Sequence, residues 1–161
     1  MYKFWLMALA AAFYSVCGVA QTIPEPEQHS GTAIELAGAW VRALPPTQTN
    51  TAAYLTISNR GASAITIVGG SAELADSVEF HATREIDGYM RMEQLHELSV
   101  AAGQSIELAP GGTHLMLLGL ARMPASGETV RLCLKMATGA EVCTAAEVRK
   151  NASGAHKHDH H

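Results

Sequence analysis

Thr51-Ala52-Ala53-Tyr54-Leu55-Thr56-Ile57-Ser58, closed by Asn59-Arg60-Gly61, decides the fold class. Its side chains alternate in character with the period-2 pattern of a half-buried strand, and a turn cluster stops it. The pattern recurs on both sides. Upstream, Ile34 to Arg42 reads as a strand containing Trp40. Downstream come Ala64 to Val68 before Gly69-Gly70, Ser77 to Ala82, and Tyr89 to Gln94 after the Asp87-Gly88 turn. Ser105 to Leu108 is next, then Thr113 to Leu118 after Pro110-Gly111-Gly112. Thr129 to Met136 and Glu141 to Val148 flank Ala137-Thr138-Gly139-Ala140 and read as a closing hairpin. About nine short strands, with no convincing helical periodicity, predict an all-β sandwich with Greek-key connections. One helical turn is expected at Ala72 to Asp76. No repeat of fixed period interrupts the scheme.

The 161 residues suffice for one domain with a real core. The first twenty have the build of an export signal: Lys3 as the positive start, Phe4 to Val16 as an apolar run, then Gly18-Val19-Ala20 as small cleavage-site residues. The run is short for a membrane anchor, and Tyr14 and Val16 flank Cys17 poorly for a lipoprotein. The predicted organisation is a cleaved signal peptide at 1–20, a flexible lead at 21–32 with Pro24 and Pro26, a β-sandwich domain at 33–150, and a flexible tail at 151–161. Only Lys3 leaves with the signal, from 11 basic residues against 15 acidic ones, so the mature chain is acidic. No basic stripe attracts phosphate backbones, which excludes a nucleic-acid partner. No second apolar stretch is long enough to cross a bilayer, so no membrane insertion is expected after cleavage. A monomer is expected.

Cys17 leaves with the signal. Cys133 and Cys143 lie symmetrically about Thr138, so the hairpin sets them opposite each other, and an exported chain favours a disulfide between them. The alternative is a pair of thiols that are redox-active or bind metal.

Four further residues carry the chemistry. Ten residues separate His81 from Met92, twenty-one separate Met92 from His114, and His114 and Met116 form a His-x-Met. Two imidazoles and two thioethers suit a soft monovalent cation, with Cu(I) the obvious candidate. Thioethers have no proton to lose and form no disulfides, so they survive an oxidising compartment. Ca²⁺ and Mg²⁺ would reject such a set, and Met is rare around Zn²⁺. His114 and Met116 share one strand face, leaving Leu115 and Leu117 for the core. A lone Met is usually core filler. That reading applies to Met90, Met123 and Met136, although Met90 shares a face with Met92 as a substitute ligand.

Those spacings, with Asp87-Gly88-Tyr89-Met90-Arg91-Met92 and Leu108-Ala109-Pro110-Gly111-Gly112-Thr113-His114-Leu115-Met116-Leu117 around them, resemble the PCu(A)C family of periplasmic copper chaperones across roughly Ala33 to Val148. The resemblance implies a cupredoxin-like (immunoglobulin-like) Greek-key β-sandwich in the periplasm of a Gram-negative bacterium. It implies Cu(I) held by His81, Met92, His114 and Met116. The copper would pass to an acceptor such as the copper centre of cytochrome c oxidase subunit II, or to another copper chaperone. The family's optional Met after the first His is Ala82 here, and the Cys133–Cys143 pair is not part of its motif.

The tail, Ala155-His156-Lys157-His158-Asp159-His160-His161, supplies a second nitrogen-rich metal site. His156, His158, His160 and His161 suit Cu(II), and the interleaved Lys157 and Asp159 speak for native sequence rather than a tag. Copper sequestration for tolerance, or a copper- or thiol-dependent redox enzyme, are the competing functions. No Cys-x-x-Cys, Gly-x-Ser-x-Gly or nucleotide-binding loop supports an enzyme.

Overall fold

The computed structural model describes residues 33–151. The signal peptide, the lead and the tail histidines lie outside these residues. Ten strands form: β1 (Ile34–Arg42), β2 (Thr51–Asn59), β3 (Ile65–Ala72), β4 (Ser77–Ile86), β5 (Tyr89–Leu95), β6 (Leu98–Val100), β7 (Ser105–Leu108), β8 (Thr113–Leu118), β9 (Thr129–Met136) and β10 (Glu141–Arg149). Four features differ from expectation, one being that β3 runs through Gly69-Gly70 to Ala72 instead of ending at Val68. Leu98–Val100 adds a short strand on β3. Ala72 to Asp76 makes a turn, with Ala75 donating to the Ala72 carbonyl, and no helix. β4 runs on to Ile86 instead of ending at Ala82.

The longer β4 has a local cause. Asp87 (φ 54°) and Gly88 (φ 77°) both adopt left-handed backbone, the requirement of a two-residue hairpin turn whose twist matches its strands. The β4–β5 ladder therefore closes down to Ile86 opposite Tyr89. The stretch expected to loop is paired strand, and His81 sits in mid-strand.

The pairing path runs β5-β4-β8-β2-β1-β10-β9-β3-β6, with β1 and β10 parallel. β3 meets β4 again at Gly70 opposite Val78, which closes the path into a sandwich around one core. Gly70 is required there, since a Cβ would stand 2.7 Å from the Cys133 carbonyl oxygen. β2 serves both halves. Thr51–Ala53 pair with β8 and Leu55–Ser58 with β7. The Pro110-Gly111-Gly112 turn, with Gly111 at φ 81°, carries the chain from β7 to β8.

Alternation does most of the core building. Ala53, Leu55 and Ile57 point inward from β2, Val78, Phe80 and Ala82 from β4, and Leu115 and Leu117 from β8. Burying each large side chain is worth roughly 2 kcal/mol. β1 breaks its own alternation at a bulge between Ala37 and Trp40, where Gly38 takes φ 61°. The extra residue reverses the parity of the remaining strand. Ile34 and Leu36 face the core before it. After it Val41 does, and Trp40 pairs with Tyr54 on the opposite, outer face.

Candidate metal centre

The outward faces of β4 and β8 carry the predicted ligands. In their antiparallel ladder Phe80 pairs with Leu115, His81 with His114 and Glu79 with Met116. Paired residues share a face, so the inward Phe80–Leu115 pair obliges His81, His114, Glu79 and Met116 to point away from the core. Met92 pairs with Thr83 on the β4–β5 hairpin, two residues along β4 from His81 and so on its face. Three strand segments, two of them joined by one hairpin, thus meet on one patch.

The rings of His81 and His114 lie 6.1 Å apart, centroid to centroid. His114 is buried, at 5% exposure, whereas Met92 is 55% exposed. His81 and Met116 are half-buried. A cavity of about 300 Å³ is lined by Met92, His114 and Met116, with Arg42 and Tyr54 among its other walls. His81 stands beside this cavity rather than in its lining, and its Nε2 lies 2.9 Å from Glu79 Oε2.

These contacts assign the tautomers. A carboxylate only accepts, so His81 Nε2 carries the proton given to Glu79, and in the neutral ring Nδ1 is the atom with the lone pair. The Gly112 carbonyl accepts from His114 Nδ1 at 3.0 Å, which leaves His114 Nε2 as the free donor atom. Fixing one ring nitrogen to orient the other is the usual outer support of a metal-binding imidazole. Among the described residues no three His, Cys, Asp or Glu side chains converge as a metal site. With two imidazoles on the patch, the thioethers would complete the donor set, which favours soft ions.

Several supporting residues were not singled out in the sequence. Trp40 and Tyr54, both outward, are nevertheless buried, with ring centroids 4.4 Å apart. Tyr54 continues to His114 at 6.3 Å. Arg42 lies 5.8 Å from the Tyr54 ring centre and Arg149 5.0 Å from that of Trp40. The Tyr54 hydroxyl has a raised pKa, because burial outweighs the opposing pull of the Arg42 charge. The available signal was parity: Tyr54 alternates with the inward Ala53 and Leu55, and Glu79 stands two residues before His81.

The Sγ atoms of Cys133 and Cys143 are 2.06 Å apart in a disulfide, across ladder partners of β9 and β10. Neither strand carries a predicted copper ligand. The tail histidines lie outside the described residues.

Residues 34–148 match the family model described as "Putative lipoprotein LpqE-like". The protein "Putative lipoprotein Lxx21020" of Leifsonia xyli subsp. xyli (strain CTCB07) is 29% identical over 153 residues, 92% of this chain and 90% of that one. Apo-DR1885 from Deinococcus radiodurans is similar in structure, with 32% identity and a TM-score of 0.59 over 91% of this chain and 100% of that one. The CuI-DR1885 structure gives 33% and 0.56 over 78% and 86%. The copper-bound PCuAC domain from PmoF2 shares the fold at a TM-score of 0.61 and 21% identity, over 74% and 94%.

Proposed function

Since this chain belongs to the LpqE-like family and has the PCuAC-domain fold, we propose that it is a copper chaperone that binds Cu(I) through His81, Met92, His114 and Met116 and cedes it to a copper-accepting protein. The observation that carries this reading is the ladder pairing of His81 with His114, with Met92 and Met116 lining one cavity beside them. CuI-DR1885, 33% identical, is by its own description a Cu(I) form.

The burial gradient suggests the mechanism. His114, held by Gly112, is the fixed anchor at the cavity floor. His81 joins through Nδ1 while Glu79 holds its other nitrogen. Met92 is the exposed donor on an edge strand, so an incoming ligand can replace its sulfur first. Transfer is then stepwise ligand exchange in which copper changes neither charge nor oxidation state. An acceptor with stronger ligands, such as the copper centre of cytochrome c oxidase subunit II, draws the metal away. The tail histidines His156, His158, His160 and His161 bind Cu(II) separately. The relatives' description as lipoproteins fits an exported, envelope-associated protein, and we place this one in the periplasm.

Competition titration with Cu(I) under reducing conditions, with X-ray absorption to count neighbours, tests the site. One equivalent with two sulfur and two nitrogen neighbours is expected, and a sulfur-free shell would refute it. Cu(II) titration of the chain with all four tail histidines replaced by Ala tests the tail, and an unchanged stoichiometry would refute that assignment.

A further inference from the structure

Arg42 places a positive charge in the wall of a cavity whose other walls carry the copper donors. The Gly38 bulge puts it there, by turning Trp40 and Arg42 onto the outer face. Arg42 comes directly after Val41, whose ladder partner is Ala53, and Ala52 in turn pairs with Met116. The small Ala52 side chain therefore leaves open the space between Arg42 and Met116, whose backbones stand two strand spacings apart, about 10 Å. Among the described residues Arg42 forms no salt bridge, and its buried Nε has no hydrogen-bond partner. Its ladder neighbour is a second guanidinium, Arg149. Arg149 lies over the Trp40 ring and 3.9 Å from the Glu147 carboxylate, so Arg42 is the cation in the cavity wall, in a chain with 15 acidic and 11 basic residues. The guanidinium lies 5.8 Å from the Tyr54 ring centre, and that ring lies 6.3 Å from the His114 ring.

We propose that Arg42 is a charge filter, which selects monovalent Cu(I) over divalent cations at the His81–His114 site. The inference rests on the copper reading above. The thioethers prefer soft metals, but two imidazoles also welcome Zn²⁺ and Cu²⁺. A fixed positive charge adds what the donor set lacks. Coulomb work is proportional to the ion's charge, so a divalent ion is opposed twice as strongly as a monovalent one. In affinity, the divalent penalty is the square of the monovalent penalty, whatever the distance or local dielectric.

The experiment uses the full chain with the four tail histidines changed to Ala, which removes the competing site. Ag(I) serves as the monovalent probe and Zn(II) as the divalent one. Both are diamagnetic, so the ring protons of His81 and His114 report each by NMR. Arg42→Gln is expected to raise Ag(I) affinity about threefold and Zn(II) affinity about tenfold, the squared relation. Arg42→Lys should keep the wild-type ratio, and added salt should shrink the difference between Arg42→Gln and wild type. Equal factors for the two ions would overturn the filter. So would a ratio as relaxed in Arg42→Lys as in Arg42→Gln, or Zn(II) binding that stays undetectable even in Arg42→Glu. If the unaltered site binds neither Cu(I) nor Ag(I), the copper reading falls and the filter with it. If it binds both and the ratio does not move, the filter alone falls.

Discussion

His81 and His114 are direct ladder partners across β4 and β8, yet their rings are oriented by different means: His81 by the Glu79 carboxylate and His114 by the Gly112 carbonyl. The backbone tie belongs to the buried ring. The side-chain tie belongs to the half-buried one, and a single substitution can cut it.

Glu79→Ala should therefore loosen His81 while leaving His114 in place. Loss of an outer partner of a metal-binding imidazole typically costs about 10–100-fold in metal affinity. Cu(I) competition titration is expected to show a loss in that range. Nitrogen-15 spectra should show mixed tautomers at His81 and an unaltered His114. No change in either ring would refute the positioning role.

Met116→Ile keeps apolar bulk and removes the sulfur. The cavity and the Ala52–Met116 register should survive, so the thermal midpoint stays close to wild type. Cu(I) affinity should fall at least about tenfold, equivalent to about 1.4 kcal/mol. An unchanged affinity would remove Met116 from the ligand set.

Phe80→Ala attacks the opposite side of the same ladder. Phe80 is 1% exposed and pairs with the fully buried Leu115, so truncation should destabilise the fold by about 3–5 kcal/mol. Denaturant unfolding measures this. Copper bound before unfolding should restore part of the lost midpoint, since a ligand specific for the native state stabilises it.

Cys133→Ser with Cys143→Ser opens the cross-strand bridge of β9 and β10. The closed loop is short, at a sequence separation of 10, so the expected cost is about 2–3 kcal/mol of stability. Cu(I) affinity should not move, because no predicted ligand lies on either strand. A drop in copper stoichiometry would instead make these sulfurs part of the metal chemistry.

Alternation along Thr51–Ser58, the turn at Asp87-Gly88 and the glycine-rich approach to Thr113 were enough to read an all-β sandwich from the chain. The four spacing-matched residues were enough to nominate a site, because strand periodicity sends His114 and Met116 to one face whatever the rest of the fold does. Their convergence with His81 and Met92 was not derivable from local pattern. It depends on which strands become neighbours, and the β4–β8 pairing joins segments more than thirty residues apart. The extent of β4 was misjudged for a related reason, since only its pairing with β5 shows that residues 83–86 remain extended.

The amino-acid order by itself determined the strands, the turns and the donor chemistry, since each arises from neighbours within a few residues. Tertiary structure alone decided that His81 would face His114 across β4 and β8, and that a one-residue bulge at Gly38 would turn Trp40 and Arg42 onto the outer face, with Arg42 in the wall of the cavity beside them. Register and parity are properties of paired strands, and a single displaced residue reverses which face a side chain takes.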